Sequence, residues 1–538
     1  MSAMVVRSAQ PGLVRRRHLL RMRWTRTGCV RIRSSIVSRT PDATAAAQNA
    51  VVELLRVSPV ADDLAARFTQ AGHRVYLVGG SVRDAMLGRL GNDLDFTTDA
   101  RPPEVMKLVS GWADAVWDTG IAFGTVGAAK RGAQCEITTF RSDAYDRVSR
   151  NPEVRFGDSI EADLVRRDFT VNAMAVDLAT RTFIDPHDGL GALAARVLDT
   201  PATPQESFAD DPLRMLRAVR FVAQLGFTCA PRVLAALTEM ADEIARITPE
   251  RVQAEVNKLI CGPHAREGVR LLVDSGLAAH VLPEVPAMRL EIDEHHQHKD
   301  VYEHSLVVLQ QAIDLEEDGP DLVLRLAALL HDIGKPDTRR HMDGGGVSFH
   351  HHEVVGAKLV RKRLRALRYS KEVTEDVARL VFLHLRFHGY GKGEWTDSAV
   401  RRYVTDAGDL LSRLHKLVRA DCTTRNRRKA AALQRTYDGL EERIDRLAAE
   451  EDLARVRPDL DGNEIMRLLD IPPGPLVGRA WTHLKELRLD QGPMSRADAE
   501  AALRSWARAQ GLGVVAADQG EPGEADEVAG TGGEHQAG

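Results

Sequence analysis

Asp93 and Asp95 stand either side of one leucine in the stretch GNDLDFTTDA, which otherwise reads as a β-strand. Residues i and i+2 of a strand share a face, so both carboxylates point the same way. Like charges that close raise each other's pKa unless a cation lies between them, and paired hard oxygen donors suit Mg2+. Glu136, in the stretch QCEITTF, offers a third carboxylate from a neighbouring strand. Upstream, YLVGGSVRD runs from a strand through two glycines into a helix. Glycine permits close backbone approach, and a helix start presents unpaired N–H groups to an anion. Gly79, Gly80, Arg83 (expected in the first turn) and Asp84 are therefore a candidate nucleotide-binding turn.

A second group combines imidazoles with carboxylates. LAALLHDIGKP sets His331 and Asp332 at the end of an apolar helix, with His304 upstream in VYEHSLVV and Asp421 downstream in LVRADCTTRN. Such ligands suit Mn, Ni, Co, Fe or Mg better than thiol-preferring zinc. The chemistry they support is attack of water on a phosphate ester. His350, His351, His352, His384 and His388 lie between these positions, and two of them would complete a second metal. The spacing does not select which. The alternative is a helical domain that keeps these residues as scaffold or RNA surface.

GGSVRDAMLGRLGNDLDFTT resembles the signature of the polymerase-beta-like nucleotidyltransferases. Within them it is similar to the class II tRNA nucleotidyltransferases (CCA-adding enzymes) and bacterial poly(A) polymerases. RRDFTVNAMAVD, DDPLRMLRAVRFVAQLGF and PERVQAEVNKLI follow in the family's order, so the likeness runs over residues 60–290. It implies that Asp93 and Asp95 hold two metals, with Glu136 as the third acid. It makes Arg166 and Arg167 cations for the triphosphate and gives Asp168 and Asn172 ribose recognition. The HD phosphohydrolase superfamily is the likeness for His304, His331, Asp332 and Asp421.

Base choice needs no template in this reading. Asp211 and Arg214 are i and i+3, hence expected on one helix face. Cytosine and adenine each show an amino donor beside a ring-nitrogen acceptor, whereas uracil and guanine show a carbonyl beside an N–H. A carboxylate beside a guanidinium accepts the first pair and leaves the second unsatisfied. Relatives usually begin this block Glu-Asp, and here it is Asp210-Asp211. Arg217 and Arg220 continue the face, to brace Asp211 or touch phosphate, and Glu250 and Arg251 are expected to stabilise the helix that supports it.

These groups need an α+β multidomain chain: a polymerase-beta-like α/β head, then all-helical neck, HD and C-terminal domains. The expected divisions are a disordered basic arm (1–45), the head (46–190), a nucleotide-selecting and RNA-binding neck (191–289) and the HD domain (290–425). A helical RNA-binding region (426–512) and a disordered acidic tail (513–538) complete them. Within the head, VVELLRVSPVADDLAARFTQAGH reads as a helix, RVYLVGG and NDLDFTT as strands, GTVGAAK and QCEITTF as a hairpin, and the polar stretch at 141–163 as a loop. Beyond residue 190 the pattern is helical.

Length and composition bound the rest. A chain of 538 residues needs several cores. Net charge is −4, so an RNA partner must be met by a local basic surface, for which AKLVRKRLRALR and RNRRKAAALQR are candidates. The five cysteines are odd in number, widely scattered and form no C-x-x-C pair, so neither a thiolate zinc site nor a disulfide framework follows, and a reducing cytoplasm fits best. No apolar run approaches the roughly eighteen residues of a membrane span. The expected partners are tRNA, CTP and ATP. The alternatives are a poly(A) polymerase, an enzyme adding only CC or only A, and, in another class, an HD phosphodiesterase whose head merely binds nucleotide.

Overall fold

The computed structural model describes residues 59–512 apart from 90, 142–155, 291–299, 343–345, 390–394, 425 and 452–456. The expected basic arm and acidic tail, and most of the loop at 141–163, lie outside the described residues.

The head is a sheet of seven strands in the order β3-β4-β5-β2-β1-β6-β7. The strands are β1 (Val75–Val78), β2 (Asp93–Thr98), β3 (Ala115–Trp117), β4 (Thr125–Lys130), β5 (Ala133–Thr139), β6 (Ala175–Asp177) and β7 (Phe183–Ile184). β2 and β5 run parallel, whereas β4 and β5 form the antiparallel hairpin expected from their turn. Helices α1 (Pro59–Gln70), α2 (Gly79–Met86) and α3 (Pro102–Val109) carry apolar stripes onto the sheet. Leu64, Phe68, Val82, Leu94, Phe96, Val105 and Ile137 are buried in one cluster there. The end of the expected loop is instead a helix, α4 (Ile160–Val165): the Ser159 hydroxyl caps Ala162 N–H, and Asp163 is fully buried.

After α5 (Gly189–Ala195), a two-stranded ribbon of β8 (Val197–Leu198) and β9 (Thr228–Cys229) interrupts the expected helical run. The neck packs α6 (Pro204–Asp210), α7 (Leu213–Leu225), α8 (Pro231–Glu239), α9 (Pro249–Ile260) and α10 (Ala265–Asp274), followed by the short turns α11 (Ala278–Val281) and α12 (Glu284–Ala287). Thr248 precedes α9 in extended conformation with Pro249 at the first position, but its hydroxyl makes no capping bond.

The HD region comprises α13 (Val301–Asp314), α14 (Leu322–Leu330), α15 (Lys335–Thr338), a small hairpin of β10 (Arg340–His341) and β11 (Val347–Ser348), α16 (His352–Ala366), α17 (Lys371–Leu383), α18 (Asp397–Ala407) and α19 (Leu411–Asp421). One apolar cluster runs from Phe169 through the neck and these helices to Leu447 in α20 (Arg427–Glu450), so neck, HD helices and α20 share a core. Arg325 ties them further: from α14 it donates to the Ile260 and Gly262 carbonyls at the end of α9, each at 2.9 Å, and pairs with buried Glu316. α21 (Gly462–Leu469), α22 (Pro475–Gln491) and α23 (Arg496–Ala509) have a separate core around Ile465, Leu484 and Leu503. Packing thus places α20 with the HD helices, and only the last three helices stand on their own core.

Candidate active site and metal centre

Asp93 and Asp95 lie in β2 on one face, as their spacing requires. The parallel register sets Asp95 beside Glu136 of β5. Ser81 fastens this strand to α2: its hydroxyl accepts from the Asp95 N–H at 2.8 Å and donates to the Asp93 carbonyl at 3.2 Å. Gly79 has φ +67°, and a β-carbon there would lie 2.9 Å from Arg167 Nη1 and 3.4 Å from Asp95 Oδ2. Gly80 would bring one to 3.6 Å from the same oxygen. The glycines thus let the Asp95 carboxylate and the Arg167 guanidinium close over the turn. Burial, reinforced by Glu136 and Asp93 against Arg167 and Arg83, lifts the Asp95 carboxyl to about 6. A carboxyl that resists ionisation beside two further acids calls for a cation, and this donor set fits Mg2+.

Arg83 is the fifth residue of α2, just past the first turn, and its Nη2 lies 3.5 Å from where a β-carbon at Gly80 would stand, so the guanidinium stays by the helix start. Its Nη1 donates to Asn172 Oδ1 at 2.7 Å, and its Nε and Nη2 hold Asp84. Asn172 in turn donates to Asp168 Oδ1 at 2.9 Å, and Arg217 Nε and Nη2 clamp Asp168 Oδ2 at 2.8 and 2.5 Å. Asp168 is buried, yet Arg217 and Asn172 overcome its desolvation and hold it well below the usual carboxylate range. The chain Asp84–Arg83–Asn172–Asp168–Arg217 thus links head to neck through side chains alone.

Arg166 and Arg167 both pair with buried Asp163, at 3.4 and 2.9 Å. Burial opposes the charge on Asp163, but the two guanidiniums keep its carboxyl below the ordinary value. Asp163 is a site residue that sequence reasoning missed, although its i+3 and i+4 spacing to the two arginines was a usable signal.

The expected pairing of Asp211 with Arg214 on one helix face is corrected. Asp211 is the extended residue between α6 and α7 (φ −142°, ψ 99°), because the residue before a proline is disfavoured in helix and Pro212 follows. Its Oδ1 accepts from Leu213 N–H at 3.2 Å, and its Oδ2 accepts from Arg251 Nη2 of α9 at 2.9 Å. Arg214 instead donates to Ser207 Oγ at 2.9 Å and to the Arg166 carbonyl at 2.6 Å. Arg217 hydrogen-bonds Asp168 and feels Asp211 only as a nearby charge, and Arg220 forms a buried pair with Glu255 at 2.9 Å. Glu250 lies 3.6 Å from Arg368, an exposed pair. The basic run of α16 is largely engaged as well, Arg361 and Arg365 with Glu375 and Arg363 with Glu284.

In the HD region the histidines sort themselves. Among the described residues two groups have three donor atoms within 4.8 Å of one another: His304, His331 and Asp421, and Asp332, His352 and His384. His350 and His351 are exposed, and the side chain of His388 lies outside the described residues. Every ligand imidazole has its Nδ1 occupied: His331 by the Ala328 carbonyl at 2.9 Å, His352 by Phe349 at 2.8 Å, His384 by Val381 at 2.6 Å, and His304 by Thr423 Oγ1 at 3.2 Å. Each therefore presents Nε2 inward, the arrangement that fixes a metal ligand's tautomer. The Nε2 atoms of His352 and His384 are buried without a hydrogen bond, 3.3 and 3.9 Å from Asp332 Oδ1. Burial lowers His331, but Asp332 and Asp421 outweigh it and hold it at about 9, while burial and His331 push His384 down to about 3. Mixed nitrogen and oxygen donors, two of them orphaned, fit a pair of divalent ions.

Comparison with known proteins agrees with this geometry. Residues 75–199 match the family model described as poly A polymerase head domain, 226–288 that of the probable RNA and SrmB-binding site of polymerase A, and 301–426 the HD domain. The CCA-adding enzyme of Geobacillus kaustophilus is 43% identical over 211 residues, 39% of this chain and 51% of that protein. The chain thus spans about half the length of such curated CCA-adding relatives. The A-adding tRNA nucleotidyltransferase of Deinococcus radiodurans is 34% identical over 443 residues, 80% of this chain and 95% of that one. The crystal structure of the Bacillus stearothermophilus CCA-adding enzyme in complex with CTP superposes with a TM-score of 0.60 at 26% identity, covering 84% of this chain and 98% of that chain. With a shared head, neck and HD region, the chain belongs to the tRNA nucleotidyltransferase and poly(A) polymerase family.

Proposed function

We propose that this chain adds and repairs the 3′-terminal CCA of tRNA without a nucleic-acid template, using CTP and ATP and releasing pyrophosphate. The observation that carries the reading is the Asp93–Asp95–Glu136 face, held against the Gly79–Gly80 turn with Arg167 beside it. Asp93 and Asp95 would hold Mg2+, which would supply charge neutralisation for the triphosphate and a lowered pKa for the primer 3′-hydroxyl. Arg167 adds a guanidinium at the same place, tethered by Asp163, and Ser81 keeps β2 and α2 in register. Asp168 and Asn172 are proposed to meet the ribose from the Arg83–Arg217 network. Asp211 and Arg214 are proposed to read the base edge. The HD groups are proposed to hold a Mn, Ni, Co, Fe or Mg pair, which supplies the charge that exposes a phosphate ester to water.

Addition of A alone is a second reading, favoured by the near full-length match to the Deinococcus radiodurans protein. The four cysteines among the described residues are free thiols, which supports a reducing cytoplasm as the location, and no described helix is long and apolar enough to cross a membrane. The test is incubation of tRNA transcripts ending before CCA, or after CC, with labelled CTP and ATP separately and together. Addition of three nucleotides and no more supports CCA synthesis. Incorporation of ATP only on transcripts ending in CC supports the second reading, and a long A ladder would make the chain a poly(A) polymerase. Asp93→Ala should abolish incorporation while leaving any HD phosphate-ester hydrolysis intact; full transfer by this variant would overturn the site.

A further inference from the structure

We propose that Trp117 is the platform on which the last base of the RNA primer stacks, an inference that rests on nucleotide transfer at the Asp93–Asp95–Glu136 face. The register of the sheet sets Trp117 of β3 opposite Gly127 of β4, Gly127 opposite Glu136 of β5, and Glu136 opposite Asp95 of β2. Residues paired across strands share a face, so the indole and the acids form one row on one side of the sheet. The adjacent row, Val116, Ala128, Cys135 and Leu94, faces the head core instead. A glycine makes room for the indole. A β-carbon at Gly127 would collide with Trp117 Nε1, Cε2 and Cδ1, so the ring fills the space that a side chain would take there. Gly127 lies within β4 and has no positive φ, so it serves space and not conformation. The indole is half-buried and makes no ring contact or hydrogen bond among the described residues.

Strand order assigns the two sides of the acids. The Gly79–Gly80 turn and Arg167 lie toward β1, on one side of Asp95, and Trp117 lies on the other side, beyond Glu136. In-line phosphoryl transfer sets the attacking hydroxyl and the leaving pyrophosphate on opposite sides of the phosphorus. With the triphosphate cradled toward β1, the primer 3′-hydroxyl arrives from the β5 side. Neighbouring strands lie about 4.8 Å apart, so an indole over β4 is about one spacing from Glu136, the reach of a nucleotide from its 3′-hydroxyl to its base. The last base of the primer changes as nucleotides are added. Stacking suits that, because every base has a π-face and none is selected.

The experiment is a double-mutant cycle on tRNA transcripts ending before CCA, with the last nucleotide intact or abasic. Binding and single-nucleotide addition are measured for the full chain, Trp117→Leu and Trp117→Phe, with thermal melting as the folding control. Leucine keeps apolar cover on Gly127 without a π-face, and phenylalanine keeps a ring. Trp117→Leu should raise Kd and KM for the intact transcript about tenfold, with KM for the nucleotide unchanged. The abasic transcript should show that loss with the wild-type chain already, and Trp117→Leu should add little to it. Trp117→Phe should recover most of the affinity. Equal penalties on intact and abasic RNA, no penalty on either, or a rise confined to the nucleotide KM would overturn the platform, and transfer by the wild-type chain would still stand. If the cycle shows the coupling in binding but the wild-type chain adds no nucleotide, the platform holds and the transfer reading fails.

Discussion

Asp95 sits where three acids and two guanidiniums compete, and its carboxyl is held at about 6 against an ordinary 3.8. The unfolded chain releases this proton near 3.8, whereas the folded protein keeps it until about 6. Between those values the folded state binds more protons, so metal-free stability falls as pH rises and the penalty stays complete above the folded pKa. Asp95→Asn removes the titration. In chelator-treated protein it should raise the melting temperature at pH 8, by the equivalent of about 3 kcal/mol, while losing nucleotide transfer. The difference should vanish below about pH 4, and an equal gain at all pH values would refute this electrostatic account. Asp163 is the opposite case, a buried acid kept ionised by Arg166 and Arg167, and it leaves Arg167 anchored when Asp95 is changed.

Elements set how these residues meet. Gly334, just before α15, is packed against α16 so closely that a β-carbon would lie 2.1 Å from the His352 carbonyl and 2.7 Å from Gly356 N. Gly334→Ala must push back the start of α16, which carries His352 away from Asp332. Metal analysis of the purified variant should find a lower metal content in the HD region than wild type, with a stability loss of about 1–3 kcal/mol. Wild-type metal content in a folded variant would exclude this coupling. The same scale explains what the sequence made legible. Period-two alternation placed Asp93, Asp95 and Glu136 on adjacent strands, because strand geometry is local. The helix-spaced pattern located α7 and α9 for the same reason. Arg251 on Asp211, Arg217 on Asp168 and the choice of His352 and His384 depend on how helices far apart in the chain pack, and nothing local encodes that. The helix face that Asp211 and Arg214 were expected to share is not formed, for a local reason that was readable: Pro212 interrupts the helix the i+3 rule assumes.

At the scale of the molecule, the separate core of α21–α23 and the shared core of neck, HD helices and α20 divide the chain differently from its motifs. A chain ending at residue 458 keeps Glu451, whose Oε1 bonds Arg401 Nε at 2.8 Å, and so keeps that buried pair. It should melt within a few degrees of the full chain and retain CTP binding, while its affinity for tRNA falls. Collapse of the remaining fold would show that the last helices are structural for the whole molecule. The bond from Arg325 to the end of α9 has a consequence for synthesis. The Ile260 carbonyl and the arginine that caps it are 65 residues apart. At about 5–20 residues per second, a ribosome takes roughly 3–13 s to make that interval. During those seconds α9, which carries Arg251, emerges with its last carbonyls uncapped. The neck is therefore finished only by a helix of the region that follows it, and a nascent chain stopped between the two holds an incomplete base-reading surface.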